Sequence, residues 1–176
     1  MTRGARARVR ARVAATGAAA LALAGCSSVP DVELPDIADL GLEPIACADT
    51  ATMGGLPIDG DDTQAECWIG TPEDGFIRVA DSVRDLLLES TGGEDITEAL
   101  CWDDTLTDVE GSACRAILVG DTESGAVASV IIAMTDAAAV TADLADEPSE
   151  EDVDAAISGA EIEVMVFSEP AATTIG

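Results

Sequence analysis

The chain contains no histidine, lysine, tyrosine or asparagine, and aromatic side chains make up only 2% of it. Each gap closes off a chemistry. Without His there is no Ser-His-Asp triad and no Cys-His pair. Without Lys there is no Schiff base, no Ser-Lys pair and no phosphate-binding P-loop lysine. No G-x-S-x-G or G-x-G-x-x-G run occurs, which removes the nucleophile elbow and the dinucleotide fingerprint. No C-x-x-C spacing occurs either, and with His also missing the usual zinc ligand sets are lacking. Carboxylate pairs remain able to do acid/base work. With 35 acidic residues, such pairs arise by chance, so none is singled out. The sequence therefore predicts no catalytic residue, no metal ligand and no cofactor.

What is present is unevenly distributed. Five of the eight basic residues (Arg3, Arg6, Arg8, Arg10 and Arg12) lie in the first twelve positions, and all 35 acidic residues come after Cys26. Beyond Cys26, three arginines face 35 carboxylates, a formal −32. That charge disfavours nucleic acid, which is bound through cationic contacts to phosphate, and anionic lipid surfaces, which attract basic segments. The joint absence of Lys, Tyr and Asn, whose codons are AT-rich, points to a high-GC genome such as an actinobacterial one.

Residues 2–12 are cationic, and residues 13–24 are small and apolar. This is the order of an export signal. A permanent transmembrane helix needs about 20 apolar residues, and here about a dozen precede the polar Ser27-Ser28, which is the length of a signal h-region. The positive flank stays inside and predicts export of the chain beyond the apolar segment. The segment closes on Leu23-Ala24-Gly25-Cys26. This resembles the lipobox of bacterial lipoproteins at every position. The resemblance implies that residues 1–25 are a signal peptide cut before Cys26, and that the Cys26 thiol carries a diacylglyceryl group (palmitate-type chains) holding the protein at the outer face of the cytoplasmic membrane. Two or three acyl chains anchor stably where one does so only marginally.

The chain has five cysteines, an odd number for an exported protein. Assigning Cys26 to lipid leaves Cys47, Cys67, Cys101 and Cys114, which an oxidising compartment lets pair. Four cysteines allow three connectivities, and sequence does not choose among them. The nearest-neighbour pairing, Cys47–Cys67 and Cys101–Cys114, is the expectation carried forward.

Residues 26–44 hold Pro30, Pro35, Pro44 and several carboxylates, and read as an acidic tether. Residues 45–176 then form one domain, with a loop over 48–65. Thr71 as N-cap, Pro72 at the first position and Glu73-Asp74 in the first turn predict a helix near 72–90. Its apolar residues at 76, 79, 80, 83, 86 and 87 recur at helical spacing, and Gly92-Gly93 stops it. Residues 113–120 and 126–134 read as a hairpin around a Gly-containing loop. Ser149 is placed to cap a short helix ending before Gly159. Residues 161–167 alternate as a strand, 65–70 and 96–102 are candidate short strands, and 135–148 carry no clear signal. The sum is an α+β fold: a small antiparallel sheet with an amphipathic helix and a shorter helix on one face, disulfide-bonded.

The amphipathic helix, then Cys101-Trp102-Asp103-Asp104, then Gly111-Ser112-Ala113-Cys114 and a Val-rich hairpin, is similar to a group of small actinobacterial lipoproteins of unknown function. The likeness covers roughly residues 76–135. It implies a Cys101–Cys114 disulfide and no activity.

Two further features invite a function. Asp59-Gly60-Asp61-Asp62 begins like a calcium loop, but the sixth and twelfth positions are Gln64 and Gly70 where Gly and Glu are required, so it reads as a solvated turn. Cys67-Trp68 and Cys101-Trp102 form a recurring pair, which suggests indoles packed on disulfides and makes Trp68 and Trp102 the candidate binding residues. The resulting expectation is a non-enzymatic envelope module that takes an envelope protein or wall ligand as partner. The rivals are a carboxylate-dependent wall hydrolase and an acidic, cation-buffering surface protein.

Overall fold

The computed structural model describes residues 30–52, 63–107, 110–142, 144–145 and 148–175. The signal segment with its lipobox cysteine and the Asp59–Asp62 turn lie outside the described residues.

In chain order the elements are β1 (Leu42–Ile45), β2 (Gln64–Gly70), α1 (Gly75–Thr91), β3 (Glu94–Asp95), α2 (Thr97–Leu100), β4 (Thr105–Leu106), β5 (Gly111–Val119), β6 (Ala126–Met134), α3 (Ala137–Thr141), α4 (Glu150–Ile157), β7 (Ile162–Pro170) and α5 (Ala171–Thr174). The seven strands form one sheet in the order β1-β2-β7-β6-β5-β3, with β4 also on β5. Every pairing is antiparallel. The α+β architecture expected from the sequence is the one found.

Strand alternation divides the apolar residues between two faces. Ile117 of β5, Val130 and Ile132 of β6, and Ile162, Val164 and Val166 of β7 join Phe76, Val79, Val83 and Leu87 of α1 in the main core. The helix buries the face its periodicity marks out, except that Leu86 stands 36% exposed. On the opposite face, Cys67 and Met165 pack with Ile131 and Phe167, and Ala116, Val127 and Ala171 pack with Ile96 and Leu100.

Three expectations are corrected and one unassigned stretch is filled. The domain does not begin at 45: Val32, Ile37 and Leu42 are at most 3% exposed and belong to the main core, so much of the expected tether is packed structure. The first helix does not start at Pro72 with Thr71 as cap. It starts at Gly75, after an Asp74 that makes no side-chain cap. Gly75 has φ +73° and a Cβ there would lie 3.0 Å from Ile157, so the chain turns tightly against α4. The carbonyls of Pro72 and Glu73 accept hydrogen bonds from the Gly159 N–H and the Ser158 hydroxyl instead of starting a helix. The candidate strand 96–102 instead holds the helical turn α2 (Thr97–Leu100). Asp95 accepts from the Thr97 N–H at 2.9 Å, the local side-chain bond that competes with ladder pairing. Finally, the unassigned stretch 135–148 contains α3, whose N-cap Asp136 accepts from the Ala139 N–H.

The C-terminal cap of α1 and the start of α4 match the sequence signals. Gly92 is left-handed and donates to the Leu88 carbonyl. Ser149 and Asp152 form a reciprocal capping box, which holds the Asp152 carboxyl below its ordinary value through hydrogen bonds from Ser149.

Candidate functional site

Both expected disulfides are present, Cys47–Cys67 and Cys101–Cys114. They lie on the sheet face away from α1 and share one transverse row. Cys114 pairs in register with Ile131, Ile131 with Met165, and Met165 with Cys67. Each disulfide pins an irregular segment over its own end of that face.

The two tryptophans do not share an environment. Trp68 is 6% exposed and sits in the main core beside α1, on the face opposite Cys67. Adjacent residues of a strand point to opposite faces, so Trp68 does not pack on its neighbouring disulfide as the recurring pair suggested. Trp102 is 46% exposed, and its indole N–H donates to the Ser112 hydroxyl at 3.3 Å, which in turn donates to Glu110.

Trp68 also lines a cavity at the sheet edge. β1 accompanies β2 only as far as Ile45 opposite Cys67. The chain then leaves the edge through the 3-10 turn Cys47–Asp49, so Gln64–Glu66 of β2 have no β1 partner. The resulting slot has a volume of about 540 Å³ and is lined by Leu34, Asp36, Pro44, Ile45, Glu66 and Trp68, among others. That volume falls within the range of small-ligand sites. The Trp68 Nε1–H meets no hydrogen-bond partner among the described residues.

Two polar groups were not marked out in the sequence. Arg115 of β5 is 8% exposed. It donates to Asp81 of α1 at 2.8 Å, to both oxygens of Asp104 at 2.6 and 2.9 Å, and to the Cys114 carbonyl. Arg84 lies 3.2 Å from Asp81 and 3.7 Å from Asp95. The Asp104 hydrogen bonds raise the already high proton affinity of Arg115, outweighing its burial. Burial pushes Asp95 upward, but hydrogen bonds from Thr97 and the charges of Arg84 and Arg115 hold it below its ordinary value. The signal was a lone Arg inside an apolar strand. The second group is Glu163 of β7, only 2% exposed. It accepts the backbone N–H groups of Ala51 and Thr52 at 2.7 and 2.9 Å and the Thr52 hydroxyl, so it ties the segment after Cys47 to the sheet. Both groups join segments together.

Among the described residues, no group of three or more His, Cys, Asp or Glu residues could hold a metal ion, and no helix is long and apolar enough to cross a membrane. Compared with family models, with curated proteins and with solved structures, the chain matches none.

Proposed function

We propose that this is an exported lipoprotein, attached through Cys26 to the outer face of the cytoplasmic membrane, whose domain binds an envelope protein or wall ligand without catalysis. The observation that carries it is the cysteine arrangement. Four of the five cysteines form two disulfides, the chemistry of an oxidising compartment. The fifth stands at Leu23-Ala24-Gly25-Cys26, where the lipobox resemblance assigns it to lipid. A binding role is favoured over hydrolysis because the carboxylate buried among the described residues, Glu163, is engaged with Ala51 and Thr52 in tying a loop to the sheet.

Mass spectrometry of the N-terminal peptide from membranes tests the anchoring. Cleavage before Cys26 with a diacylglyceryl mass on its sulfur is expected, and Cys26→Ala should leave uncut precursor. A free Cys26 thiol would overturn the assignment. For the domain, turnover of wall fragments that survives purification and disappears on a single Asp or Glu to amide change would replace binding by hydrolysis.

A further inference from the structure

The packing of the expected tether fixes how far the domain can stand from a lipid on Cys26. A free tether running to Pro44 would reach about 60 Å. Val32 and Ile37 are instead buried in the main core. Only the steps from Cys26 to Pro30 remain as a spacer, a reach of at most about 14 Å. The place where this spacer joins the fold is equally specific. A Cβ built on Gly120 would lie 4.0 Å from the Pro30 ring, and Asp31 accepts from the Gln64 side-chain amide at 2.9 Å. Gly120 opens the turn between β5 and β6, and Gln64 begins β2 opposite Ser168 of β7. The Ala171 N–H donates to the Gly125 carbonyl, which brings α5 to the same end. Gly93, just past α1, lies against the Leu118 carbonyl and places the C-terminal end of α1 there too. The opposite end of the sheet holds Gly75 and α4, joined by the hydrogen bonds of Ser158 and Gly159 to Glu73 and Pro72.

We infer that the domain stands directly on the membrane surface on its β5–β6 turn. Gly120–Gly125, α5 and the C-terminal end of α1 lie next to the lipid headgroups, and α4 and the first turn of α1 point outward. This orientation rests on the lipid proposed for Cys26. Charge keeps the domain upright. Beyond Cys26 three arginines face 35 carboxylates, and the described arginines are each paired with carboxylates. Anionic headgroups repel such a surface within a Debye length, about 8 Å at physiological salt. Lying flat would bring a whole flank into that layer, whereas standing on end keeps most of the carboxylates beyond it. Ile175, 39% exposed and one turn from Ala171, adds an apolar side chain to the membrane end. β5 and β6 are nine residues each, about 30 Å of strand. The outer end therefore stands roughly 45 Å from the bilayer at most. A partner arriving from outside meets α4 and the first turn of α1 first.

The test places the full lipidated protein in nanodiscs of phosphatidylcholine and phosphatidylglycerol containing a small share of gadolinium-chelate lipid. Peak losses are read in a nitrogen–proton correlation spectrum. The amides of 120–125 and 171–174 should lose most of their intensity, and those of 150–159 should keep most of theirs. Inserting about ten Gly/Ser residues between Ser28 and Val29, which add roughly 18 Å of coil, should return much of the intensity at 120–125. The insert lies outside the packed residues, and unchanged peak positions check that the fold is kept. Equal losses at the two ends, a greater loss at 150–159, or losses at 120–125 that the insert leaves unaltered would overturn the inference. Mass spectrometry of the same sample reads the lipid. A diacylglyceryl group on Cys26 together with even losses would sink the orientation alone. A free Cys26 thiol would sink the anchoring proposal and the orientation with it.

Discussion

The two faces of the sheet are closed in different ways. One is covered by α1, seventeen residues long, whose Phe76, Val79, Val83 and Leu87 form a continuous apolar stripe. The other is covered by short irregular segments, each with a small cluster of its own and each fastened by a disulfide. A long amphipathic helix buries enough area to hold itself in place. A stretch of five or ten loop residues does not, because the ordering entropy of its backbone exceeds what its few apolar contacts return. Cross-links and the buried Glu163 supply the difference on that side.

The largest expected effect comes from breaking the helix-covered face. Phe76→Ala should lower stability by about 3–5 kcal/mol, since Phe76 is fully buried and its cavity cannot collapse against paired strands. Urea unfolding should show this loss at similar size with and without reductant. A loss that vanished on reduction would mean the two faces are not independent.

Next in size are the disulfides. Removing either pair by Cys→Ala substitution should cost about 3 kcal/mol in the chain-entropy account, for bonds joining residues 20 and 13 apart. Hydrogen exchange sharpens the comparison. Reduction of Cys47–Cys67 should release the amides of 46–52, and reduction of Cys101–Cys114 those of 96–102, while α1 stays protected. Equal loss of protection in α1 would contradict the division between packed and pinned faces.

Arg115 crosses that division, because its guanidinium ties α1 to β5 and to the loop at Asp104. Arg115→Met should cost about 2 kcal/mol, less than a fully buried pair would, because Asp81 and Asp104 can turn toward water. Thermal unfolding measures this, and Asp104→Asn should give a smaller change in the same direction.

The smallest effect is expected at the capping box. Ser149→Ala should cost about 1 kcal/mol near neutral pH. The Asp152 carboxyl is held low in the folded chain, so its contribution is present above the unfolded carboxylate value and lost as pH falls through the lower folded one. The difference between wild type and Ser149→Ala should therefore shrink as pH falls below the ordinary Asp value of 3.8. A penalty that stayed constant with pH would show that Ser149 acts without its partner.

Legibility in the sequence tracked periodicity. β5 and β6 were readable as two apolar runs around a Gly-containing loop, β7 because its residues alternate, and α1 because its apolar positions recur at helical spacing. The slot was not readable. It depends on β1 leaving the edge of β2 after Ile45 and on residues 34–36 returning beside it, which are contacts between segments about 30 positions apart. Trp68 was singled out for its place next to a cysteine, yet its importance comes from facing away from that cysteine.

The sequence by itself determined the cationic-then-apolar order of the first 26 residues, the exclusion of His- and Lys-based chemistry, the acidic field, the four longer strands and the main helix, and an even set of four cysteines beyond Cys26. These are local properties, carried by composition, spacing and charge. Only the tertiary structure decided that the expected tether packs into the core, that two tryptophans in like surroundings of sequence fall in unlike surroundings of space, and that the lone arginine of β5 joins three segments. Those outcomes depend on which strand lies beside which and on which face each residue takes, and both are set by burying the whole apolar surface at once.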